Sequence, residues 1–494
     1  MVDDITTTAV TVNTIQKWLN NPASKGLLSF LCEDDKCGDR LSIAIDSYLG
    51  EEVNACWKCK AAGKIVREIL NKGGHICNIQ DEDIKKTFKQ PYFKTGLMNI
   101  IRGINEYGVA VPQRIHAPIV VVWDCTHACN LGCKHCYQNA QKKLPDELST
   151  EEAKRMIDDI AEAGSCAIAF SGGEPLMRKD FFELAEYSVK KGLYTALATN
   201  GTLITKEMAH RIKEVGVGYV EVSIDGKDSE THDGFRGAPG TFDKVIQGIK
   251  NCVDEGLYMT VATTVSKTNV EQIPEIVQLV KSLGVSRIIT FNFIPTGRGE
   301  CMSNMDITPE ERESLLRYLS DRNYDSNMEV MSTAPQFGRV SVKREGVNLA
   351  HFMTIKKVDN RAMALCEFIG GCAAGRFYCC VRPNGDINPC VFIPIKVGNV
   401  RENKLLDTWH NSPVLDTLRD RDQVKGHCAT CENKYICGGC RARAYAYFGD
   451  LTAADPGCIN NMDAWSDVVN KSYEVADKSL EAVNKNSKEI TSSS

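Results

Sequence analysis

The sequence lacks an excess of positive charge. Its 494 residues include 59 lysines and arginines against 64 aspartates and glutamates, a formal net charge of −5 at pH 7. Lysine and arginine form no dense basic stretch anywhere along it. A protein that binds nucleic acid by neutralising phosphates needs such a surplus. We therefore expect no nucleic-acid partner.

Long apolar runs are missing as well. A helix that crosses a bilayer needs about 20 consecutive, mostly apolar residues, and the chain contains no such run. Residues 1–14 are acidic and polar and have no apolar stretch of the kind found in secretory signals. We expect no transmembrane segment and a cytoplasmic protein.

Cysteine, in contrast, is abundant, with 22 residues. Disulfide frameworks are typical of short secreted chains that cannot build a full core. This chain is long enough for roughly two to four domains, and its cysteines are grouped at the spacings of metal ligands. We therefore expect a reducing compartment and several metal centres.

Residues 1–95 are predicted to form a small, mostly helical domain, because residues 15–31 and 65–70 place apolar side chains at helical intervals. This region contains a C-x4-C pair and a C-x2-C pair, formed by Cys32, Cys37, Cys56 and Cys59. Four thiolates can bind zinc or a single iron. Four ordinary buried cysteines are the alternative.

Between residues 119 and 295, strand-like and helix-like segments alternate six times. The apolar runs are 119–123, 167–171, 194–198, 219–224, 258–265 and 287–294. Continuous apolar strands separated by amphipathic helices indicate a parallel sheet that is covered on both faces. Six units are two fewer than in a closed eight-unit barrel. We predict an α/β fold with a partial, open (β/α)6 barrel over residues 116–300.

Three cysteines follow the first of these strands in a C-x3-C-x2-C spacing, at Cys129, Cys133 and Cys136. Three thiolates can hold three irons of a 4Fe–4S cluster and leave the fourth iron open to a small molecule. A zinc site or ordinary core thiols are the alternatives, although structural zinc usually takes four protein ligands.

Further motifs lie at the ends of the next strands, where ligands bind in sheets of this kind. Gly172, Gly173 and Glu174 follow the second strand, and Asn200 follows the third. Ser223 ends the fourth strand, and Arg236 lies in the segment after it. Glycine allows the backbone to approach a ligand closely, and a glutamate can accept hydrogen bonds from an ammonium group. A turn cap or a surface ion pair is the alternative for Ser223 and Arg236.

A second cysteine-rich region covers residues 366–460, after a bridging segment over 301–365. Its eight candidate ligands are Cys366, Cys372, Cys390, Cys428, Cys431, Cys437, Cys440 and Cys458. Eight thiolates suffice for two 4Fe–4S clusters, and a pair of zinc sites is the alternative. Residues 461–494 are predicted to form a polar helix and a disordered, serine-rich tail.

The cysteine triplet, the Gly-Gly-Glu-Pro string and the Ser-Ile-Asp-Gly string together resemble the radical S-adenosylmethionine (SAM) superfamily. The resemblance implies that SAM chelates the open iron and that Gly172, Gly173 and Glu174 hold its methionine amino group. It also implies that Ser223 contacts the ribose or carboxylate region and that Arg236 pairs with the carboxylate. Asn200 would offer polar atoms to the same ligand.

The eight-cysteine region resembles the SPASM extension of radical SAM enzymes. By this resemblance the first auxiliary 4Fe–4S cluster has the ligands Cys366, Cys372, Cys390 and Cys440. The second has Cys428, Cys431, Cys437 and Cys458, which makes three 4Fe–4S clusters in all. The chain departs from the family pattern at three points. Two residues, Gly438 and Gly439, separate Cys437 from Cys440 instead of three, His135 stands where an aromatic residue is usual, and Val391 replaces a proton-accepting aspartate.

The resemblance implies reductive cleavage of SAM to a 5′-deoxyadenosyl radical and hydrogen abstraction from an unactivated C–H bond. We expect an oxidative or bond-forming modification of a peptide-derived or tetrapyrrole-like substrate, with electron relay through the auxiliary clusters. A flavodoxin or ferredoxin-type donor would supply electrons. The alternatives are C–C coupling of ether-lipid hydrocarbon chains and a non-catalytic iron–sulfur carrier, which would not need intact SAM motifs.

Overall fold

The computed structural model describes residues 21–53, 55–77, 80–325, 328–342, 347–349, 353–355 and 367–469. Cys366, much of the predicted bridging segment after residue 342 and the tail beyond residue 469 lie outside the described residues.

Within the described part of the N-terminal region, from residue 21 onward, five helices and a short β-hairpin share one apolar core. In chain order they are α1 (Pro22–Cys32), β1 (Asp34–Asp35), β2 (Gly38–Asp39), α2 (Arg40–Leu49), α3 (Trp57–Cys77), α4 (Asp81–Phe88) and α5 (Pro91–Tyr107). Leu31, Leu41 and Ile45 are fully buried in this core. The side chains of Asn21 and Asp39 cap α1 and α2 by accepting hydrogen bonds from their first amides.

Helix α5 joins the N-terminal region to the rest of the chain. The buried side chain of Asn99 donates to the carbonyls of Ala117 and Gly164 at 2.9 and 3.0 Å. A Cβ at Gly103 would lie 2.7 Å from the carbonyl oxygen of Arg114, so α5 packs directly against the backbone there. The predicted boundary at residue 95 falls inside this helix, and the N-terminal unit extends to Tyr107.

Six parallel strands with helical crossovers follow, and the predicted partial barrel is confirmed. The strands are β3 (Val120–Thr126), β4 (Ala167–Gly172), β5 (Tyr194–Thr199), β6 (Tyr219–Ser223), β7 (Met259–Val265) and β8 (Arg287–Asn292). The helices are α6 (Thr150–Glu162), α7 (Phe181–Lys190), α8 (Lys206–Glu214), α9 (Ser229–Arg236), α10 (Thr241–Asp254) and α11 (Ile273–Ser282). Ser149 and Glu152 start α6 with a complete capping box.

The sheet is larger than the sequence predicts. After α12 (Pro309–Asp325), strand β9 (Glu329–Ser332) pairs in parallel with β8. Helix α13 (Gln336–Val342) and a hairpin of β10 (Val347–Leu349) and β11 (Met353–Ile355) come next. Strand β12 (Tyr378–Val381) pairs in parallel with β3, and β13 (Asp386–Asn388) and β14 (Gly398–Asn399) extend that edge in antiparallel order. The result is a ten-stranded sheet in the order β14-β13-β12-β3-β4-β5-β6-β7-β8-β9.

The cysteine-rich C-terminal region is therefore continuous with the barrel sheet. Its helices are α14 (Leu405–Asn411), α15 (Pro413–Arg419), α16 (His427–Thr430) and α17 (Arg441–Phe448), and residues 462–469 are also helical. Fully buried Arg443 in α17 lies 3.4 Å from a carboxylate oxygen of Asp306 and 3.5 Å from one of Asp455. The pair with Asp306 joins α17 to the segment that follows β8, and the pair with Asp455 joins it to the loop that follows α17.

The inner face of the barrel leaves a cavity of about 550 Å³. On β6, Val220 and Val222 are fully buried, whereas Tyr219, Glu221 and Ser223 line the cavity, as the period of two in a strand requires. Small side chains on neighbouring strands keep the interior open, namely Ala167, Ala169, Ala196, Ala198 and Ala262. Within the described ranges, no helix combines the length and the apolar character needed to cross a membrane.

Candidate functional site

The cysteine loop (residues 127–141) follows β3 directly, and its three cysteines all line the cavity. The amide of Cys136 donates to the carbonyl of Cys133 at 3.3 Å, and the amide of Cys129 donates to that of Gln141 at 3.1 Å. Burial raises the pKa of the Cys129 thiol to about 11, and the nearby thiols of Cys133 and Cys136 also raise it. The structure thus brings the predicted triplet together at the C-terminal end of the first barrel strand.

The triplet is spaced for something larger than a single ion. Among the described residues, only two groups of cysteine, histidine and acidic side chains bring all their donor atoms within 4.8 Å of one another. They are Asp35 with Cys37, Cys56 and Cys59, and Glu106 with His116 and His410. The three loop cysteines do not form such a group. A tetrahedral zinc ion would need its ligands that close, whereas a four-iron cluster holds its ligand sulfurs further apart.

Arg298 fixes the shape of the cysteine loop. Its guanidinium donates to the carbonyls of Cys133 and Ala140 at 2.8 and 2.7 Å, and its own amide donates to the carbonyl of Cys136 at 2.9 Å. The neighbouring Gly297 has a φ of +60°, and a Cβ there would lie 2.3 Å from the carbonyl oxygen of Tyr137. A loop arginine is usually solvated, so no pattern in the sequence predicts this contact.

The two glycines after β4 lie against the cysteine loop and line the cavity. A Cβ at Gly172, whose φ is +122°, would lie 2.6 Å from the carbonyl oxygen of Thr126, and one at Gly173 would lie 2.2 Å from that of Ala128. Their amides are held by the same segment, since Gly173 donates to Thr126 at 2.7 Å. Only glycine allows this close approach of two loops.

Glu174 does not reach the cavity. Its carboxylate is fully buried and accepts hydrogen bonds from the Thr199 hydroxyl and the Asn200 amide, both at 2.8 Å. It also accepts one from the Leu176 amide at 3.1 Å. These contacts fix the end of β5 against the loop after β4, and the contact of this side chain with a ligand amino group stays a prediction.

Asn200 and Ser223 both line the cavity, at the ends of β5 and β6. The side-chain amide of Asn200 donates to the side-chain Oδ1 of Asn130 at 2.8 Å, and Asn200 Oδ1 accepts from the Thr202 hydroxyl at 2.6 Å. Asn200 therefore connects the β5 end to the cysteine loop.

Arg236 lies between an acid and a cysteine of the triplet. Its Nε is 2.6 Å from Asp225 Oδ2, and its Nη1 is 3.8 Å from Cys133 Sγ. Asp225 is fully buried and also accepts from the Thr264 amide at 2.8 Å. A guanidinium in this position offers its remaining N–H groups to an anion bound in the cavity.

His135, the departure from the usual aromatic residue, keeps an aromatic function. Its ring stacks on Phe235 with centroids 4.0 Å apart and planes at 12°. Burial lowers the pKa of His135 well below its ordinary value, so the ring is neutral and packs as an apolar surface of the cavity wall.

Three cysteines of the second region line the same cavity. Cys372, Cys390 and Cys440 all line it and belong to one apolar cluster. The hydroxyl of Tyr378 on β12, also in the cavity wall, donates to Cys390 Sγ at 2.6 Å. We call these three cysteines the first auxiliary group. Their predicted companion Cys366 lies outside the described residues.

A second auxiliary group lies deeper in the C-terminal region. Burial raises the pKa of the Cys437 thiol, and the neighbouring thiols of Cys458 and Cys428 raise it further. Asn461 donates to Cys428 Sγ at 3.3 Å, and the Gly439 amide donates to Cys437 Sγ at 3.4 Å. Cys431 directly follows the short helix α16, three residues after Cys428.

Buried arginines lie around these cysteine groups, and their charge bears on whether anionic clusters fit there. Arg376, Arg421 and Arg441 are at most 3% exposed and have no carboxylate partner among the described residues. They donate to backbone carbonyls, such as that of Cys372 at 3.2 Å from Arg376 and 2.9 Å from Arg421. Each retains one buried nitrogen with no hydrogen-bond partner. Buried cations need a counter-charge, and thiolate-ligated iron–sulfur clusters supply negative charge beside them.

The two-residue turn of Gly438 and Gly439, which is one residue shorter than the family pattern, packs against two of these arginines. Both glycines have positive φ, +68° and +64°. A Cβ at Gly438 would lie 2.4 Å from Arg421 Cζ, and one at Gly439 would lie 2.5 Å from Arg441 Nη2. The two guanidinium groups can therefore pack against this turn only because the turn has no side chains.

A buried polar network lies beside the cavity, and no pattern in the sequence predicts it. Asp124, at the end of β3, accepts hydrogen bonds from Arg382 at 3.0 Å, the Cys380 thiol at 3.3 Å and the Tyr137 hydroxyl at 3.2 Å. Tyr137 reaches the cavity wall and also contacts the Ser171 hydroxyl at 3.2 Å. Val391 lines the cavity too, so no carboxylate occupies the position after Cys390.

The far end of the cavity lies at the N-terminal ends of the barrel strands. Tyr194, Tyr219, Tyr258 and Arg287 line it there, about 13 Å from Ser223 at roughly 3.3 Å per strand residue. Burial raises the pKa of Glu221, midway along β6, to about 7. The far end of the cavity is therefore polar, whereas the rest of its wall is mostly apolar.

The predicted N-terminal ligand set changes in one position. Cys37, Cys56 and Cys59 come together, but the fourth donor within 4.8 Å is the carboxylate of Asp35, not the thiol of Cys32. Cys32 is the last residue of α1, and burial raises the pKa of its thiol to about 11 with Arg102, Asp39 and Glu106 as its charged neighbours. The sharp turn after α1 directs the hairpin, rather than the helix end, toward the C-x2-C pair.

The sequence matches known families over both cysteine-rich regions. Residues 123–280 match the family model of the radical SAM superfamily. Residues 372–432 match that of SPASM, described as an iron–sulfur cluster-binding domain.

Characterised relatives match most of their own length. An AdoMet-dependent heme synthase of Methanosarcina barkeri is 38% identical over 349 residues, which are 70% of this chain and 97% of the relative. An Fe-coproporphyrin III synthase of the same organism is 38% identical over 351 residues, 69% and 87% of the two chains. A pre-heme d1 synthase of Dinoroseobacter shibae is 31% identical over 353 residues, 69% and 85%.

Solved structures share the fold at low sequence identity. Streptococcus suis SuiB bound to the precursor peptide SuiA superposes with a TM-score of 0.61 at 18% identity and covers 85% of this chain and 92% of its own. The AdoMet-bound anSMEcpe superposes with a TM-score of 0.53 at 20% identity and covers 73% and 99%.

Proposed function

Because the chain belongs to the radical SAM superfamily, with an iron–sulfur SPASM domain, we propose that this enzyme oxidises a peripheral side chain of an iron tetrapyrrole. Radical SAM enzymes use SAM and 4Fe–4S clusters. The cluster number, the ligand assignment and the substrate are parts of this proposal.

One observation carries the proposal. The cavity of about 550 Å³ has the cysteine loop in one part of its wall and the first auxiliary group in another. A substrate bound between them would have the radical source and an electron acceptor within the same enclosure. This arrangement favours a net oxidation over a redox-neutral rearrangement.

When bound, the 4Fe–4S cluster and SAM supply a 5′-deoxyadenosyl radical that takes hydrogen from an unactivated C–H bond. In the proposal, Cys129, Cys133 and Cys136 hold that cluster, and Cys372, Cys390 and Cys440 belong to the first auxiliary cluster. Fully cysteine-ligated auxiliary clusters, when bound, would supply an electron acceptor.

The chain's own residues would position SAM and exclude water. Gly172 and Gly173 would present backbone groups to it, and Arg236 would offer a charge-assisted hydrogen bond to its carboxylate. Asn200 and Ser223 would line the same ligand. The apolar wall would keep water away from the reactive carbon.

The relatives and the cavity together support a tetrapyrrole. The three relatives compared are named for haem or for haem-like products. The small apolar side chains of the barrel interior suit the faces of a macrocycle. The polar far end, with Arg287 and three tyrosines, suits its charged or polar substituents better than it suits the hydrocarbon chain of an ether lipid.

The direct test is turnover with defined substrates. Anaerobically reconstituted protein, SAM and dithionite are incubated with Fe-coproporphyrin III, with a diether lipid or with neither. The proposal predicts that 5′-deoxyadenosine accumulates with the tetrapyrrole and that the tetrapyrrole changes mass in step. Consumption of the lipid alone, or 5′-deoxyadenosine with unchanged tetrapyrrole, would overturn it.

A variant of the first auxiliary group separates SAM cleavage from oxidation. Cys390→Ala with Cys440→Ala should still form 5′-deoxyadenosine with dithionite, but the oxidised tetrapyrrole should fall at least tenfold. The matched control is Cys252→Ala, a buried cysteine of α10 far from either group, which should leave both products unchanged. Equal loss of both products in the double variant would contradict the electron-acceptor role.

A further inference from the structure

A four-donor group lies in the N-terminal region, away from the cavity. It consists of the carboxylate of Asp35 and the thiols of Cys37, Cys56 and Cys59, whose donor atoms all lie within 4.8 Å of one another. Cys56 Sγ and Cys59 Sγ are 3.6 Å apart, and each lies 3.5 Å from Asp35 Oδ2.

Two backbone elements create this convergence. Asp35 and Cys37 lie on the tight hairpin of β1 and β2, where Gly38 has a φ of +103°. Cys56 immediately precedes α3, and Cys59 lies in its first turn, with its amide hydrogen-bonded to the Cys56 sulfur. The N-terminal end of a helix stabilises negative charge, so the first turn of α3 suits the charge of metal-bound thiolates.

The carboxylate of Asp35 is held in place by a backbone amide and by an arginine. Asp35 Oδ1 accepts from the Cys37 amide at 2.8 Å, and Oδ2 accepts from Arg40 Nε at 3.3 Å. Arg40 is itself only 1% exposed and pairs with Glu33 at 3.1 Å. Such outer contacts orient a metal ligand and fix which oxygen faces the ion.

We infer that Asp35, Cys37, Cys56 and Cys59 bind one zinc ion that holds the hairpin to α3. Zinc accepts mixed sulfur and carboxylate ligands in a tetrahedral arrangement. A rubredoxin-like iron would take four thiolates, and the group offers three. The four protein donors close the coordination sphere, so the ion has a structural role.

The zinc ion would also stabilise structure outside the hairpin. Asp39, at the end of β2, pairs with Arg102 of α5 at 2.6 Å, and α5 contacts the barrel through Asn99. The site therefore stabilises the region that attaches the N-terminal helices to the catalytic barrel. This inference does not depend on the identity of the substrate.

Metal analysis of the full chain tests the ligand set. Protein with reconstituted iron–sulfur clusters is analysed for zinc and iron together. We expect one zinc per chain in the wild type and in Cys32→Ser. Zinc should be lost from Asp35→Ala and from Cys56→Ser, while the iron content stays unchanged in all four proteins.

Cobalt substitution provides a readout that does not depend on loss of metal. The Asp35→Cys variant should retain one Co²⁺, and its thiolate-to-cobalt charge-transfer absorption should exceed that of the wild type because a fourth thiolate joins the ion. Loss of zinc from Cys32→Ser, full retention in both Asp35→Ala and Cys56→Ser, iron in place of zinc, or an unchanged cobalt spectrum in Asp35→Cys would each overturn the inference.

Discussion

Arg298 has a role that only the folded backbone reveals. In the sequence it is one arginine in a glycine-rich loop after the sixth strand, a position where arginines are usually solvated. In the structure its guanidinium bonds two carbonyls of the cysteine loop. It fixes the three cysteines without contacting their sulfurs.

Replacing Arg298 should therefore loosen the cysteine loop. Arg298→Ala removes hydrogen bonds worth about 1.5–3 kcal/mol each when the donor is charged. We expect the iron held by the cysteine loop to fall and 5′-deoxyadenosine formation to drop at least tenfold, measured by iron analysis and chromatography.

The matched control is Arg401→Ala. Arg401 also bonds two carbonyls, those of Asn384 and Asp146, together with the Glu152 carboxylate, but far from the cysteine loop. The Arg401→Ala protein should retain the iron content and the activity of the wild type. An Arg298→Ala protein that is as active as this control would show that the loop holds its shape unaided.

Tyr378 makes a residue-scale prediction about the first auxiliary group. Its hydroxyl donates to Cys390 Sγ at 2.6 Å, and hydrogen bonds to cluster sulfurs raise the reduction potential. Tyr378→Phe removes roughly 1 kcal/mol of stabilisation, which corresponds to on the order of 40 mV for one electron. An EPR-monitored titration should record a lower midpoint potential for one auxiliary cluster.

Tyr187→Phe is the control for that titration, because the Tyr187 hydroxyl bonds only the Asp158 carboxylate on the outer helices. Its midpoint potentials should equal those of the wild type. Equal potentials in Tyr378→Phe as well would place Cys390 outside any redox centre.

The residues that sequence predicts best are those whose chemistry depends on spacing. The C-x3-C-x2-C triplet comes together as expected, because neighbours in sequence stay neighbours in a loop. Cys32 does not join the other three N-terminal cysteines. Whether a cysteine at a helix end faces the other donors depends on the path of the backbone that follows.

At the scale of elements, the six β/α units were predictable because each contains its own evidence, an apolar strand followed by an amphipathic helix. Strands β9 and β12 were not predictable from the sequence. Each is four residues long, and each exists as part of the sheet only through pairing with β8 or β3. Pairing between segments about 250 residues apart, as for Tyr378 and Val120, leaves no local pattern in the sequence.

The loop after β4 gives an element-scale prediction. In Gly173→Ala the new Cβ would lie 2.2 Å from the carbonyl oxygen of Ala128, so the loop must move away from the cysteine loop. We expect an unchanged far-UV circular dichroism spectrum but at least tenfold weaker SAM binding by equilibrium dialysis.

Gly26→Ala is the matched substitution. Gly26 lies in α1, and a Cβ there meets no atom within 4 Å. Alanine in a helix stabilises it by roughly 0.5–1 kcal/mol relative to glycine, and SAM binding should be unaffected. Normal SAM binding by Gly173→Ala would mean that the two loops need not touch.

At the scale of the whole molecule, the fold brings the cysteine loop and the first auxiliary group to the wall of one cavity. Strand β12 continues the barrel sheet, and Cys372, Cys390 and Cys440 line the same cavity as Cys129, Cys133 and Cys136. Arg376, Arg421 and Arg441, which have no carboxylate partner among the described residues, lie near the auxiliary groups. Buried positive charge, sheet topology and cavity are therefore all consistent with the proposed iron–sulfur centres.

The most direct measurement compares 5′-deoxyadenosine formation by the wild type and by a Cys129→Ala, Cys133→Ala, Cys136→Ala triple variant. Both are reconstituted and reduced with dithionite in the presence of SAM. The wild type should form the product, and the triple variant should form none while losing about four irons and keeping those of the auxiliary groups. A triple variant that cleaves SAM as fast as the wild type would contradict the assignment of the radical-generating centre to this loop.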